Sequence, residues 1–185
     1  MKKSISLLLA FGLILSVTVL FAGDFKAEQP FLITAAGQSP EGMMVKILSQ
    51  KAGLKFQYDK LAQPDMLKAN KTLILVSGGS TKGLGAANID KDQEMKRVKS
   101  LIDTAKKAKM KIVTMHLGGK KRRGSLSDEF NQVAAENADY LVVLKDGDED
   151  GFFKKIADGK KIPLKYIDKI LNAKDVLISI FGAEK

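Results

Sequence analysis

Short apolar runs alternate with segments of helical period along most of this chain, and this alternation constrains the fold more than any other feature. Segments between the runs carry apolar residues three and four positions apart. Such an order is typical of βαβ units and of a parallel sheet. It predicts an α/β fold of the Rossmann-like or flavodoxin-like kind, with a single three-layer, doubly wound, mostly parallel sheet of about six strands. The predicted strands lie at 31–35, 54–58, 72–76, 112–116, 140–144 and 164–167.

Capping residues mark the ends of several predicted helices. Ser39 is expected to cap the first helix, and Asp90 with Gln93 forms a variant of the capping box at the start of a long helix. A later helix over 151–158 is expected to stop at Gly159, because glycine is common just after a helix end.

The amino terminus has the pattern of an export signal. Two lysines after the initiator Met are followed by an uncharged, apolar run over residues 4–23. Cleavage after Ala22 is expected, although the run is long enough to serve as an uncleaved membrane anchor. Either outcome places the rest of the chain outside the cytoplasm, in the periplasm or secreted. The predicted organisation is a signal peptide or anchor at 1–22, a linker at 23–29 and a single domain at 30–182.

Composition excludes several classes of chemistry and partner. The chain has no cysteine, which excludes disulfides, thiol catalysis and zinc–thiolate sites. The formal net charge is +10, but an exported protein meets little nucleic acid, so no nucleic-acid partner is predicted. Membrane contact is expected only through a retained amino-terminal segment, and protein partners stay open. A further hypothesis is an envelope-associated interaction module that its lysines hold to anionic surfaces.

The stretch 73–85, LILVSGGSTKGLG, is the strongest functional signal in the chain. An apolar strand runs into glycines, hydroxyls and a lysine, which together can surround an anionic or polar small molecule. If the strand order is 2-1-3-4-5 with the sixth strand at the edge, this loop lies at the switch point between the first and third strands, where open α/β sheets bind ligands. The predicted ligand-binding residues of this loop are Gly78, Gly79, Ser80, Lys82 and Gly83.

Three other connections are expected to contribute to the same site. Gln38 and Ser39 follow the first strand and bring a helix amino terminus to the ligand. His116 ends the fourth strand, and Arg122 and Arg123 follow it in a basic loop whose planar guanidinium groups suit carboxylate, sulfonate or phosphate. The favoured function is therefore binding of a small polar or anionic ligand at the carboxyl edge of the sheet.

An enzyme is the alternative class of function. A hydrolase or transferase would use His116 as general base and Ser39 or Ser80 as nucleophile, although neither serine lies in a G-x-S-x-G elbow. The glycine loop also matches the turn of short-chain dehydrogenases, but it follows the third strand rather than the first. Tyr140 is followed four residues later by Leu144, where those enzymes have a lysine. A nicotinamide cofactor is therefore not predicted.

The loop over 146–151 is acidic and resembles the first half of an EF-hand calcium loop. Asp146, Asp148 and Asp150 alternate in it, but Ala157 stands where the bidentate glutamate should be. Calcium is therefore a minor hypothesis, and no other cofactor is predicted. In the alternative interpretation Asp150 caps the next helix, while Asp146 or Asp148 pairs with Arg122 or Arg123 of the adjacent loop.

Four segments of the chain resemble a family of exported bacterial proteins that is known only as a domain of unknown function. They are PFLITAAGQSPEG from Pro30, LILVSGGSTKGLGAANID from Leu73, HLGGKKRRGSLSD from His116 and KDGDEDGFF from Lys145. The resemblance covers residues 29–181. It implies a Rossmann-like fold in one domain and no established activity.

Overall fold

The computed structural model describes residues 25–182, and within them six strands form one sheet. The strands are β1 (Phe31–Ala36), β2 (Phe56–Tyr58), β3 (Thr72–Ser77), β4 (Lys111–His116), β5 (Tyr140–Leu144) and β6 (Leu164–Ile167). All neighbouring strands are parallel, in the order β2-β1-β3-β4-β5-β6. The chain winds in opposite directions from β1 and β3, so the predicted doubly wound order is confirmed, with its switch point between these two strands.

Helices cover both faces of this sheet. They are α1 (Glu41–Lys51), α2 (Thr81–Ala86), α3 (Lys91–Lys107), α4 (Ser125–Glu136), α5 (Phe152–Lys160) and α6 (Ala173–Phe181). The helices α1 and α6 pack on one face, where Val45 and Leu177 belong to one apolar cluster with Ile74 and Val113. The helices α3, α4 and α5 pack on the other face.

The burial pattern follows from the position of each strand in the sheet. Every residue of β1 and β3 is buried, because both faces of these central strands are covered by helices. The edge strands β2 and β6 are short and keep exposed positions such as Gln57 and Tyr166. The most regular part of the sheet therefore supports the carboxyl ends at which the candidate site was predicted.

Local structure departs from the sequence-based prediction at three places. The second half of the glycine loop forms α2, which was not predicted. Gly159 lies inside α5, so the predicted stop is wrong, and the helix ends where Lys161 takes a left-handed conformation. Ser39 does not cap α1, because its hydroxyl hydrogen-bonds the Glu41 carboxylate instead of a backbone N–H. The capping box of Asp90 and Gln93 is present.

The predicted signal peptide or anchor lies outside the described residues. Of the predicted linker, residues 25–29 are described, and they pack on the domain, since the Phe25 ring stacks on Tyr140 with 4.7 Å between centroids. Among the helices of residues 25–182, none has the length and apolar character needed to cross a membrane.

Candidate functional site

The two loops at the switch point are hydrogen-bonded directly to each other. The Gly78 N–H donates to the carbonyl oxygen of Ala36 at 3.0 Å, and the Ser80 N–H donates to that of Gly37 at 2.9 Å. The Gly79 N–H donates to a serine hydroxyl of α4 at 3.1 Å. These backbone donors already have acceptors within the chain, so in this conformation they do not present an open anion-binding loop.

The rest of the glycine loop forms the start of α2. The Ser80 hydroxyl accepts a hydrogen bond from the Gly83 N–H at 3.0 Å and so caps this helix. A Cβ atom on Gly83 would overlap the carbonyl oxygen of Gln38, so the glycine allows α2 to pack closely on the β1–α1 turn. Lys82 projects from the same helix and is exposed.

Arg122 crosses the switch point from the β4–α4 connection to the first turn of α1. Its Nε lies 3.2 Å from Oε2 of Glu41, and its Nη1 donates to the Gly79 carbonyl oxygen at 3.3 Å. The Arg122 and Glu41 side chains are 23% and 19% exposed. Within residues 25–182, Nη2 makes no hydrogen bond. The guanidinium therefore has a fixed position and keeps donors that can receive a ligand.

Two glycines make room for the Arg122 side chain. A Cβ atom on Gly78 would lie 3.0 Å from Cβ of Arg122, and one on Gly118 would overlap its Cγ. The glycines that follow β3 and β4 thus allow this arginine to lie against the backbone. This packing gives a structural reason for part of the glycine pattern, and it holds the guanidinium in place before any ligand binds.

The Glu41 carboxylate is shared between two side chains of the predicted site. The Ser39 hydroxyl donates to this carboxylate, and Arg122 contacts both of its oxygens. Ser39 is 3% exposed. The carboxyl edge therefore carries a cluster of a hydroxyl, a carboxylate and a guanidinium at the place where the strand order reverses.

A second ion pair lies deeper, under the β1–α1 turn. Glu94 and Arg97 of α3 pair at 2.8 Å, with side chains 0% and 6% exposed. Glu94 also accepts hydrogen bonds from the Gly37 N–H and the Gln38 side chain, and Arg97 donates to the carbonyl oxygen of Ala62 and to the end of β1. A buried pair with all its groups hydrogen-bonded fixes this turn. The Gln38 side chain therefore donates to Glu94 and to the carbonyl oxygen of Lys60, and its predicted contact with a ligand stays a prediction.

His116 is fully buried at the end of β4. Its Nδ1 lies 3.2 Å from Oδ1 of Asn131, its Nε2 lies 3.3 Å from the Gly119 carbonyl oxygen, and its ring packs on Phe153. A Cβ atom on Gly147 would lie 2.7 Å from Nε2, so this glycine covers the ring. Burial lowers the pKa of His116, although the hydrogen bonds with Gly119 and Asn131 oppose that effect.

Arg123 points away from the switch point and into the acidic loop. It pairs with Asp128 at 2.7 Å and with Asp150 at 2.9 Å, and its guanidinium lies 4.6 Å from the Phe152 ring centre. The hydrogen bond from Arg123 lowers the pKa of Asp150 to about 2. Burial raises the pKa of Asp128, but hydrogen bonds from Arg123 and its neighbours outweigh that effect and leave the pKa below its ordinary value. Arg123 therefore serves to anchor the loop after β5.

The acidic carboxylates have roles that differ in part from those predicted. Asp148 accepts hydrogen bonds from the N–H groups of Phe153 and Lys154 and from the Tyr166 hydroxyl, while Asp150 accepts one from the Phe152 N–H at the start of the same helix. The predicted pairing of Asp146 or Asp148 with an arginine is wrong, because Arg123 pairs with Asp150 and Asp128, and Arg122 pairs with Glu41.

The calcium hypothesis gains no support from this geometry. Asp148 and Asp150 both accept hydrogen bonds from N–H groups at the start of α5, Asp150 also pairs with Arg123, and Asp146 lies beside Gly119. No group of three or more histidine, aspartate or glutamate side chains is arranged to hold a metal ion within residues 25–182.

Two open clefts flank the switch point. One, of about 460 Å³, lies between the chain after β2 and α3, with Leu61 and Ile89 as apolar walls. The other, of about 370 Å³, is lined by charged groups around Arg123 and the acidic loop. Arg122 is not among the residues that line these two clefts.

Glu41, Asn131 and the pair of Glu94 and Arg97 were not predicted from the sequence to belong to the site. The signal for the buried pair is present, because Glu94 and Arg97 are three residues apart on α3 and Val98 follows directly on its buried stripe. A carboxylate and an arginine beside an apolar stripe indicate a buried pair. Glu41 and Asn131 carry no comparable signal for their contacts with Arg122 and His116, which lie 81 and 15 residues away in the chain.

Three comparisons place this chain among known proteins. Of solved structures, the esterase AlinE4, of the SGNH-hydrolase family, is similar at 10% sequence identity with a TM-score of 0.32, over 82% of this chain and 79% of that chain. A mutant of the same esterase gives a TM-score of 0.31 at the same identity and coverage. Similarity at this level carries no argument about function. Among curated proteins, none matches in sequence. A protein-family model described as a domain of unknown function, DUF6305, matches residues 28–181, and the chain belongs to that family, as its motifs predicted.

Proposed function

We propose that this protein binds a small polar ligand with an anionic group at the carboxyl edge of its sheet, and that Arg122 is the principal contact. The half-buried pair of Arg122 and Glu41 at the switch point is the observation that supports this proposal most directly. A guanidinium that is fixed by packing and keeps free donors is suited to carboxylate or phosphate oxygens.

The presence of Glu41 narrows the class of ligand. A purely anionic molecule would have to bind beside a carboxylate that already neutralises the guanidinium. A ligand that also carries hydroxyl or ammonium groups can donate to Glu41 while its anionic group accepts from Arg122. The favoured ligands are therefore zwitterions and acidic polyols, with Ser39 and exposed Lys82 as further polar groups at the same edge.

The alternative function, a hydrolase or transferase, has less support. Among the described residues, His116 hydrogen-bonds Asn131 and Gly119, whereas Ser39 hydrogen-bonds Glu41 and Ser80 caps α2. A general base must come within hydrogen-bond reach of the proton it removes. Catalysis by His116 with either serine would therefore require the loop that covers the ring to move.

Native mass spectrometry of the purified full chain, followed by thermal unfolding with added ligands, tests the binding function. The probes are inorganic phosphate, glutamate and glucuronate, compared in the wild type, Arg122→Gln and Lys121→Gln. A ligand at 100 times its Kd stabilises a protein by about 2.7 kcal/mol, which raises Tm by about 5–10 °C at this chain length. The neighbouring exposed Lys121 is the matched control, because its replacement makes the same change in charge in the same loop.

We expect a shift of Tm in the wild type and in Lys121→Gln, and none in Arg122→Gln. A ligand that shifts all three proteins equally would show binding elsewhere and would overturn the assignment of Arg122. If the protein carries no adduct and none of the probes shifts Tm, the binding function for these ligand classes is wrong.

A further inference from the structure

The described chain begins along the amino edge of the sheet, opposite the candidate site. Phe25 stacks on Tyr140, the first residue of β5, and the Ala27 N–H donates to the carbonyl oxygen of Ile180 near the end of α6. The hydroxyl of Thr72, the first residue of β3, donates to the carbonyl oxygen of Glu28. The first described residues therefore lie at the amino edge of the sheet.

Exposed lysines are concentrated at this same edge. All six strands are parallel, so they begin at one edge of the sheet, and the helices α1, α3, α4 and α5 return to that edge before they end. Lysines lie at the ends of α1, α3 and α5 and at the starts of β3 and β4. These amino-edge lysines are Lys51, Lys71, Lys106, Lys107, Lys109, Lys111, Lys160 and Lys161, and all are exposed.

Carboxylates at the amino edge are fewer and in part already paired. Asp139 lies 3.6 Å from Lys111, and Asp158 pairs with Lys154 within α5. Glu28, Asp103 and Glu136 also lie near these helix ends and strand starts. The lysines therefore outnumber the carboxylates at this edge.

The carboxyl edge differs, because five of its cations form ion pairs with nearby carboxylates. Arg122 pairs with Glu41, Arg123 with two aspartates, and Arg97 with Glu94. Lys91 and Lys120 likewise pair with glutamates at 2.9 and 2.7 Å. These ion pairs lower the net positive charge at the carboxyl edge, whereas the amino-edge lysines outnumber the carboxylates beside them.

We propose that the amino-edge lysines bind the anionic phospholipid headgroups of a membrane surface, so that the domain sits with its amino edge on the bilayer. The uncharged apolar run at 4–23 precedes Phe25 in the sequence, and Phe25 lies at this edge, so a bilayer that retained this run would bring an anionic surface close to the lysines. Lysines near an anionic surface are attracted to it over about a Debye length, roughly 10 Å at 0.1 M salt. The candidate ligand site then faces away from the membrane.

Two single-cysteine variants test this orientation in the full chain. The chain has no cysteine, so Ala108→Cys at the amino edge and Ala86→Cys on α2 at the carboxyl edge can each carry one fluorescent label at an exposed position. The protein is incorporated into vesicles of phosphatidylcholine alone or with phosphatidylglycerol, and quenching by neutral acrylamide reports the exposure of each label. Duplex DNA replaces the vesicles in a parallel sample.

We expect at least a twofold lower quenching constant for the label at position 108 in phosphatidylglycerol vesicles than in phosphatidylcholine, restored by 1 M salt, and no change at position 86. The triple variant Lys71→Glu, Lys107→Glu, Lys160→Glu should abolish this protection. The matched variant Lys60→Glu, Lys121→Glu, Lys145→Glu, with the same change in net charge at the carboxyl edge, should keep it. Equal quenching at position 108 in both lipids, or equal loss in both triple variants, would overturn the proposal. Protection of that position by DNA and not by anionic vesicles would overturn it in favour of nucleic acid.

Discussion

The environment of His116 is expected to make the stability of the fold depend on pH. Its neutral ring has one N–H donor, but both ring nitrogens face acceptor oxygens, those of Asn131 and Gly119. The ring is also packed against Phe153, covered by Gly147, and lies near the positive charge of Arg123. Burial lowers its pKa, so the folded protein keeps this ring neutral under conditions in which the unfolded chain protonates it.

Acidification is therefore expected to destabilise the fold through this residue. In the unfolded chain the imidazole takes up a proton near pH 6.5, while the folded ring resists protonation to lower pH. The unfolded state binds more protons in this window, so the free energy of unfolding falls as pH is lowered below about 6.5, by at most about 1.4 kcal/mol per pH unit. Urea unfolding at pH 7, 6.5 and 5.5 measures the slope in the wild type and in His116→Gln.

The glutamine variant is expected to be less stable than the wild type at every pH. Its free energy of unfolding should also no longer fall between pH 7 and 5.5. His116 is the only histidine in the chain, so no other side chain with an ordinary pKa titrates between pH 5.5 and 7. The same slope in both proteins would show that the buried imidazole is not its source.

The short helix α2 shows what the glycine pattern means at the scale of one element. Gly83 and Gly85 lie in the same helix, but a Cβ atom on Gly83 would overlap the carbonyl oxygen of Gln38, while one on Gly85 would meet nothing within 4 Å. We expect Gly83→Ala to lose about 1–3 kcal/mol of stability through overpacking. Gly85→Ala should gain about 0.4–1 kcal/mol, because alanine restricts the unfolded chain.

Chemical denaturation of the two alanine variants checks both signs in one helix. Gly85→Ala is the matched control for helix propensity, since it makes the same substitution two residues away. If Gly83→Ala is as stable as Gly85→Ala, α2 does not pack on the β1–α1 turn, and the glycines would have to be explained by something other than close contact.

Elements could be predicted from sequence where their signal is local. The strands, the capping box of Asp90 and Gln93 and the strand order follow from apolar runs and nearby capping residues, and the structure confirms them. The boundary at Gly159 was wrong because a glycine without close contacts can stay helical when Lys161 supplies the left-handed residue. The helix α2 was missed because glycines and hydroxyls are as typical of a loop as of a capped turn.

At the scale of the whole molecule, the strand topology predicted which loops meet, whereas the residue types did not predict which side chains pair there. The loops after β1, β3 and β4 do meet at the switch point, as the alternation of strands and helices predicted. Which side chains pair there depends on contacts between distant segments, such as Arg122 with Glu41 and Gly37 with Glu94, 81 and 57 residues apart. A single sequence gives the position of an edge but not the partner of each charge on it.

The sheet itself predicts how stability is distributed around that site. The strand β3 is buried throughout and pairs with β1 on one side and β4 on the other, whereas β6 has four residues and pairs only with β5. We expect amides of β3 to exchange hydrogen only through global unfolding and those of β6 through local opening. Native-state hydrogen exchange at increasing urea measures this difference.

Under those conditions the free energy of exchange should fall steeply with urea for β3 and change little for β6, because local opening exposes little new surface. The amides of β1 are the internal control and should follow β3. Equal slopes in β3 and β6 would show that the whole sheet opens as one unit. The expected result would mean that Arg122 and Glu41 are held above the most stable strands, so the site exists before its ligand arrives and binding need not be coupled to folding of the edge.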